Sequence, residues 1–329
     1  MTAEHPLVSV LMAVYNAEAW LDQALDSVLD HQTMREVEVL AVDDASTDGS
    51  WPILQRRREA DPRLRIFRQE MNQGQAVARN RALKEARGEY VMMLDADDWL
   101  SGDALREAVE VFRKYPQTDS VFFRLILHWQ EDGREEDYSP SHVTGQKFDV
   151  RVQYPAVLTG IEALRLSVEW KLHGYYLVRR ELHQHYPYDD SLPLYSDDNT
   201  THLHYLHSRE VRPCAGIYYW RQHARSSTTA LSPRRFLLME SNLVLRNRLR
   251  QEGVPRDILE RYERHRWHNY LGQLWLYFDS RGQLDKETRT RLCETFRRIY
   301  HTFPRRLPFG LFRAGQWLRW VRRRLMAKW

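Results

Sequence analysis

The chain has 329 residues, 43% hydrophobic and 29% charged, enough for one large domain with an appendage or for two domains under an ordinary water-facing surface. Its only cysteines, Cys214 and Cys293, stand far apart, which leaves no basis for a disulfide framework or a CxxC zinc knuckle, and no run approaches the ~18 apolar residues of a spanning helix. The net charge of +4 hides an asymmetry: residues 301–329 carry eight Arg or Lys and no acid, while outside them 41 basic residues face 45 acidic ones, and charge gathered locally in this way marks a binding surface.

The opening "MTAEHPLVSV" has neither a basic n-region nor a long apolar h-region. It reads as the entry to a strand, not as a cleaved leader, and with the sparse cysteines it suggests a reducing, cytoplasmic setting. Leu7 to Val14 is apolar throughout, as in a strand covered on both faces. Ala19 to Leu29 has helical spacing through Trp20, Leu21, Ala24, Leu25 and Val28. Val37 to Val42 is a second strand that ends directly in Asp43-Asp44. "STDGS" makes a turn and helix start, Trp51 to Ala60 a helix, and Leu64 to Arg68 a short strand. Gln75 to Ala86 is a strong helix pattern with Gly88 just past its end.

Tyr90 to Leu94 is a buried-strand run, and Asp95, Asp97 and Asp98 follow within four positions. Four strands alternating with helices predict βαβ units and a mainly parallel sheet. Asp103 to Tyr115 is a further helix, "DSVFFRLILHWQ" a strand, and "EDGREEDYSPSHVTGQ" a polar excursion or hairpin. Residues 151–220 are mixed and rich in aromatics and histidines. Beyond Arg234 the pattern is helical through Phe236–Gln251, Arg256–Asp279 and Lys286–His301.

In an open parallel sheet, ligands bind beyond the carboxyl ends of the strands. Two acidic clusters therefore share one rim. Clustered carboxylates repel, so a positive group should sit among them. A hard divalent cation, Mg²⁺ or Mn²⁺, takes carboxylate oxygens and shares its shell with phosphates. No GxGxxG or GxxxxGK[ST] loop follows the first strand, so a phosphorylated ligand would rely on such a metal in place of a glycine nest. The plain alternative for Asp48, Asp98 and Asp103 is helix capping.

"VSVLMAVYNAEAWLDQALDSVLDHQ", "VEVLAVDDASTDGS", "NQGQAVARNRALKEARGEY" and "VMMLDADDWL" resemble, in order and spacing, the family 2 glycosyltransferases. Ala13 and Ala45 stand where that family often has Pro and Gly. The resemblance implies an α/β chain of GT-A fold, Rossmann-like with helices flanking the sheet, and a mostly helical C-terminal extension. It implies residues 1–232 as the GT-A domain, with a nucleotide-sugar half (1–100) and an acceptor half (101–232), then a helical region over 233–329. It implies an inverting, Mn²⁺- or Mg²⁺-dependent transfer from a nucleotide-diphospho-sugar, UDP by analogy. Ala13, Tyr15 and Asn16 would line the nucleotide pocket. Asp43 would accept from the base with Asp44 beside it, and Arg79 would reach the nucleotide. Asp95 and Asp97 would form the DxD pair, Asp97 being the direct metal ligand. For Arg79 the alternative is a surface ion pair with a nearby acid.

Inversion needs a base on the face opposite the leaving diphosphate. By the same resemblance Asp198 is that base and Asp197 its acidic neighbour, and the alternative is that Ser196 to Asp198 cap a helix. "EWKLHGYYLVRREL" and "IYYWRQHARSST" resemble further landmarks of the family, with Trp220 where Tyr is common. They make His223 a third metal ligand or diphosphate contact, with Arg221 nearby. Trp170, Lys171 and Tyr175 or Tyr176 could face an acceptor sugar or belong to the core. His204 and His207 share a helix face, but no third ligand completes a zinc set.

Two other functions also use an acidic α/β site. A sugar-nucleotide nucleotidyltransferase would carry a Gly-rich basic loop where this chain has "AVYNAEAW". A catalytically idle binding subunit would not need an intact DxD and Asp197-Asp198. The tail "FGLFRAGQWLRWVRRRLMAKW" winds into a helix with Trp317, Leu318, Val321 and Leu325 on one side and Arg319, Arg322 and Arg323 on the other. That is the pattern of a helix lying in an anionic membrane interface, or of one docking its Trp face on the protein itself. Nucleic acid is the lesser partner, since the rest of the chain is net acidic. The family resemblance implies a lipid-linked saccharide acceptor, in bacterial cell-surface polysaccharide synthesis at the inner face of the cytoplasmic membrane, and a membrane-lying tail would suit it.

Overall fold

The computed structural model describes residues 5–139, 154–192, 194–223 and 232–304. The amphipathic tail lies outside them. The chain divides into two compact units between Leu245 and Arg246.

The first unit is built on a sheet ordered β3-β2-β1-β4-β9-β6-β10-β5. Its first strands are β1 (Val8–Val14), β2 (Val37–Asp43), β3 (Leu64–Arg68) and β4 (Tyr90–Met93). All three pairings among them are parallel, because a helix returns the chain each time: α1 (Leu21–Leu29), α2 (Ser50–Ala60) and α3 (Gln75–Glu85). Alternate residues of β1 serve opposite faces. Val8, Val10, Met12 and Val14 join the cluster made with α1, Leu54 of α2 and α4 (Ala104–Lys114). Leu11 joins the cluster on the other face, with Ala78, Ala82 and Leu83 of α3.

The sheet is mixed beyond this point, so the parallel character belongs to its first half. The remaining strands are β5 (Trp99–Leu100), β6 (Thr118–Trp129), β7 (Glu135–Asp137), β8 (Leu158–Thr159), β9 (Tyr176–Arg179) and β10 (Glu210–Gln222). β9 runs antiparallel between β4 and β6. β10 lies parallel to β6 and antiparallel to β5 and β8. As far as Ser139, the polar excursion after β6 is a hairpin, closed by Trp129 N–H donating to the Arg134 carbonyl at 2.9 Å, with β7 as its second arm.

Helices α5 (Gly160–Ser167), α6 (Arg180–His185) and α7 (Ser196–His207) complete this unit. α5 opens with a capping box, Thr159 and Glu162 each serving the other's backbone N–H. Gly160 is required there. A Cβ would stand 2.4 Å from the Ser208 carbonyl oxygen and 2.7 Å from that of Tyr205, so α5 abuts the end of α7 backbone to backbone. A 3₁₀ turn, Pro233–Leu237, occupies the start of the helix expected from Phe236 and leads into α8 (Leu238–Gln251).

The second unit is helical, with α9 (Arg256–Ser280) and α10 (Lys286–Tyr300). Trp267, Tyr270, Leu274 and Tyr277 of α9 and Phe296 and Ile299 of α10 are buried. Arg266, 1% exposed, is neutralised by Glu263 at 2.6 Å. Among the described residues, no helix is long and apolar enough to cross a membrane.

Candidate active site

The loops leaving β1 and β2 are tied to each other. Asn16 and Ala45 both take positive φ, 52° and 59°, a region that favours glycine. That accounts for glycine being common where Ala45 stands. Asn16 N–H donates to Ser46 Oγ at 3.0 Å, and Asn16 Oδ1 accepts from Thr47 N–H at 2.8 Å. Ala13 is half-buried near the end of β1, and Tyr15 is 50% exposed beyond it.

Asp43 is fully buried. Its Oδ1 accepts from Ser46 N–H at 3.3 Å. Its Oδ2 stands 3.1 Å from Arg68 Nε in an ion pair but takes no well-directed hydrogen bond. Asp44 faces the other way. Its carboxylate accepts from Gln69 Nε2 and from the backbone N–H groups of Gln73 and Gly74, the latter two at 2.8 Å. It holds the turn into α3, and that occupies both oxygens.

The three aspartates after β4 bring single carboxylate oxygens within 4.8 Å of one another. Each has a positive or donating partner within the chain. Arg79 Nη2 meets Asp95 Oδ1 at 2.5 Å. His223 Nε2 lies 2.9 Å from Asp97 Oδ2. Asp98, 2% exposed, accepts from Arg221 N–H at 2.8 Å and from the Tyr218 hydroxyl at 2.9 Å. Burial, then Asp97 and Asp95, raises the Asp98 carboxyl well above the ordinary range. Burial also raises Asp95, against the pull of Arg79, with Asp97 and Asp197 adding to the rise. Asp98 is therefore an internal tie to β10. Asp95 and Asp97 keep roughly a third of their side-chain surface open.

Arg79 is 1% exposed. It is no surface ion pair, because its other nitrogen, Nη1, reaches Asp197 Oδ2 at 3.3 Å. Burial opposes its charge, but Asp95 and Asp197 outweigh burial and raise its pKa. Asp197 Oδ1 accepts from Asp198 N–H at 3.1 Å. Asp198 is half-buried, and burial followed by the Asp197 charge raises its carboxyl well above the usual range, Arg79 pulling the other way. A carboxylate with a raised pKa is a better proton acceptor than a free one. The N-cap residue of α7, Tyr195, has no side-chain cap, and Asp197 Oδ1 serves one amide of the first turn.

Arg221 spends its side chain on internal partners. It is 5% exposed, donates Nε to the Asp97 carbonyl at 2.7 Å and Nη2 to Gln23 Oε1 at 2.6 Å, bonds Gln130 through Nη1, and covers the Trp99 ring at 4.5 Å. It clamps the DxD turn from within. His223 rests on Trp20, ring centroids 4.2 Å apart. The Tyr175 ring packs on Tyr218 at 4.2 Å, and burial with Asp98, Asp95, Asp197 and Asp97 raises its hydroxyl pKa well above normal, which sets it beside the carboxylates. Trp170, at φ 57°, accepts the Tyr138 hydroxyl on its carbonyl at 2.7 Å. Lys171 pairs with Glu169 at 2.9 Å. His204 is an internal residue, its ring nitrogens 2.7 Å from the Tyr176 hydroxyl and 2.8 Å from the Tyr186 carbonyl.

Trp20, Gln23, Gln130, Tyr188 and Tyr218 take part in this site without having been marked by sequence. Their partners lie far away along the chain, so the motifs that contain Trp20, Gln23 and Tyr218 do not show what those residues touch. Of the carboxylates, Asp95 and Asp97 have the oxygen donors, the openness and the proximity that a hard cation needs, with His223 beside them. The chemistry of the set fits Mn²⁺ or Mg²⁺.

A half-parallel sheet with acidic strand ends on one rim, flanked by helices, is the GT-A fold. Residues 9–165 match the family model described as Glycosyl transferase family 2, so the chain carries a domain of that family. It is 41% identical over 102 residues to an uncharacterized glycosyltransferase of Haemophilus influenzae, covering 31% of this chain and 40% of that one, so it spans about two fifths of that relative's length. It is 27% identical over 228 residues to the glycosyltransferase GlyG of Streptococcus pneumoniae, covering 67% and 72%. Among solved structures, S. aureus TarS with UDP-GlcNAc superposes with a TM-score of 0.63 at 19% identity, over 89% of this chain and 81% of that one. The Pyrobaculum calidifontis mannosyltransferase PcManGT with GDP-Man and Mn²⁺ superposes at 0.56 and 20% identity, over 90% and 85%.

Proposed function

We propose that this chain is an inverting glycosyltransferase that moves a sugar from a nucleotide-diphospho-sugar, a UDP-sugar by preference, to a hydroxyl of a saccharide or lipid-linked saccharide. The observation that carries this reading is the cluster at Arg79, which joins the DxD carboxylate Asp95 to the Asp197-Asp198 pair. Donor-side and base-side groups then face one site. Ala13, Tyr15, Asn16 and Asp43 line the nucleotide end, and Asp43 Oδ2, which takes no well-directed hydrogen bond within the chain, serves as acceptor for a base N–H. Asp97, Asp95 and His223 would hold Mn²⁺ or Mg²⁺, which when bound neutralises the diphosphate. The Mn²⁺ of the mannosyltransferase complex supports that assignment.

Asp198 takes the proton of the acceptor hydroxyl as its oxygen bonds to the anomeric carbon. The bond from that carbon to the diphosphate oxygen breaks on the opposite face, and the nucleoside diphosphate leaves. Tyr175 and Trp170 line the acceptor side. The domain division 1–232 and 233–329 belongs to this reading, as does a cytoplasmic enzyme whose basic tail meets an anionic membrane bearing the acceptor.

The test is Asp198→Asn. Donor affinity by calorimetry should hold while turnover falls ~10²–10⁴-fold, the usual weight of a general base. Unchanged turnover, or collapse of donor affinity, would overturn the assignment.

A further inference from the structure

The start of α7 carries the proposed base, yet it lacks the usual restraint. Its N-cap residue, Tyr195, sits in the left-handed region at φ 65° and offers no side-chain cap. The Ser196 hydroxyl is buried without a hydrogen-bond partner. On one side Ser241 holds this turn, through its hydroxyl to the Tyr195 carbonyl at 3.0 Å and its own carbonyl to Asn199 Nδ2 at 3.2 Å. On the other side Arg79 of α3 does so, and the next residue, Asn80, holds the chain further back, at Tyr188. Arg79 reaches Asp197. Asn80 grips the backbone of the approaching chain twice, Nδ2 donating to the Tyr188 carbonyl at 2.8 Å and Oδ1 accepting from Tyr188 N–H at 3.0 Å. The Tyr188 ring in turn lies under the Arg79 guanidinium at 5.6 Å.

We infer that Arg79 and Asn80 are positioning residues for Asp198, fixing the first turn of α7 to the helix that also holds the DxD carboxylate Asp95. This rests on the reading of Asp198 as the base. The amide of Asn80 matches both the backbone N–H and the backbone carbonyl of one residue, Tyr188, so it fixes position and orientation together. Arg79 spans two carboxylates because its planar fork can serve both, which a lysine ammonium on one stem does not reproduce. α3 thereby couples the two halves of the site. When Asp95 is placed for the donor, the base is placed for the acceptor by the same rigid helix. A displacement of about 1 Å at a reacting group costs on the order of 10²-fold in rate, so this anchoring bears on turnover without touching the reacting atoms.

Two measurements on the full chain test it. Hydrogen exchange needs no substrate: the amides of residues 194–200 should exchange at least ~10-fold faster in Asn80→Ala and in Arg79→Lys than in wild type, an opening of the turn by more than ~1.4 kcal/mol. Unchanged protection in both variants overturns the inference. The second is a mutant cycle on hydrolysis of the sugar nucleotide, among UDP-glucose, UDP-GlcNAc and GDP-mannose, that wild type turns over fastest with Mn²⁺. Asn80→Ala should lower kcat with donor KM within about twofold, and Asn80→Ala with Asp198→Asn should be no slower than Asp198→Asn alone, because a misplaced base costs nothing once the base is gone. Losses that multiply would mean that Asn80 acts elsewhere. Should Asp198→Asn hydrolyse donor at the wild-type rate, the base assignment fails by itself, and the exchange measurement still decides whether α3 anchors α7.

Discussion

Replacing His173 by Asn should remove about one proton from the pH dependence of folding. His173 is 4% exposed, and burial lowers its pKa to about 3. In the unfolded chain it titrates near 6.5. Between those values the unfolded chain binds a proton that the native chain refuses, so stability falls as pH falls below 6.5. The slope is about 1.4 kcal/mol per pH unit, or about 2 kcal/mol between pH 6.5 and 5. His204, lowered by burial to about 4, and His183, lowered well below normal by burial and His204, act in the same sense. Asp98 and Asp198, raised by burial, act oppositely: their contribution is complete below the unfolded carboxylate value and is lost as pH rises through the folded one. The net slope therefore mixes signs, and the variant isolates one term. Asn keeps an acceptor near Nδ1, which takes the Tyr175 N–H at 3.3 Å, and it does not titrate. Urea unfolding followed by circular dichroism at pH 6.0 and 4.5 should give a variant line flatter by about 2 kcal/mol over that interval. Parallel lines for variant and wild type would refute the neutral buried imidazole.

Asp97→Ala should abolish transfer and remove Mn²⁺-dependent donor binding, whereas Asp95→Ala impairs less; full activity of the Asp97 variant in EDTA would end the DxD assignment. Gly160→Ala should destabilise by about 1–3 kcal/mol, since its Cβ meets three carbonyl oxygens; Gly282→Ala, with nothing within 4 Å of its Cβ, should change the unfolding free energy from urea titration by no more than about 0.5 kcal/mol. A chain ending near Pro308 should lose co-sedimentation with anionic vesicles while neutral vesicles bind neither form. Unchanged binding would return the tail to packing on the protein.

The first hundred residues were legible because local signals agreed there: apolar runs for β1, β2 and β4, helical spacing for α1 and α3, and aspartates at strand ends. β10 was not, since Pro213 and Gly216 interrupt it, and the register with β6 shifts between Pro213 and Ile217. β9 has only four residues, too few to show a period. Residue type alone marked Asp44, Asp98 and Arg221 as equals of their neighbours. What separates them is direction: Asp44 turns toward Gly74 and Arg221 toward Gln23, and orientation is set by partners far along the chain.

The sheet order has a bearing on how the molecule comes into being. β4 and β6 are not neighbours; β9 lies between them, and the stretch that matches the family model stops at residue 165, before β9 begins at Tyr176. That stretch alone leaves an unfilled slot in the middle of the sheet and both oxygens of Asp98 without their β10 partners. The matched stretch therefore does not complete the sheet by itself. Synthesis must pass Gln222 before the sheet can close, so the nascent chain is an open-edged intermediate until then. Refolded protein should regain donor binding only in the phase that seats β10, and a fragment covering residues 9–165 should be aggregation-prone by its bare strand edges.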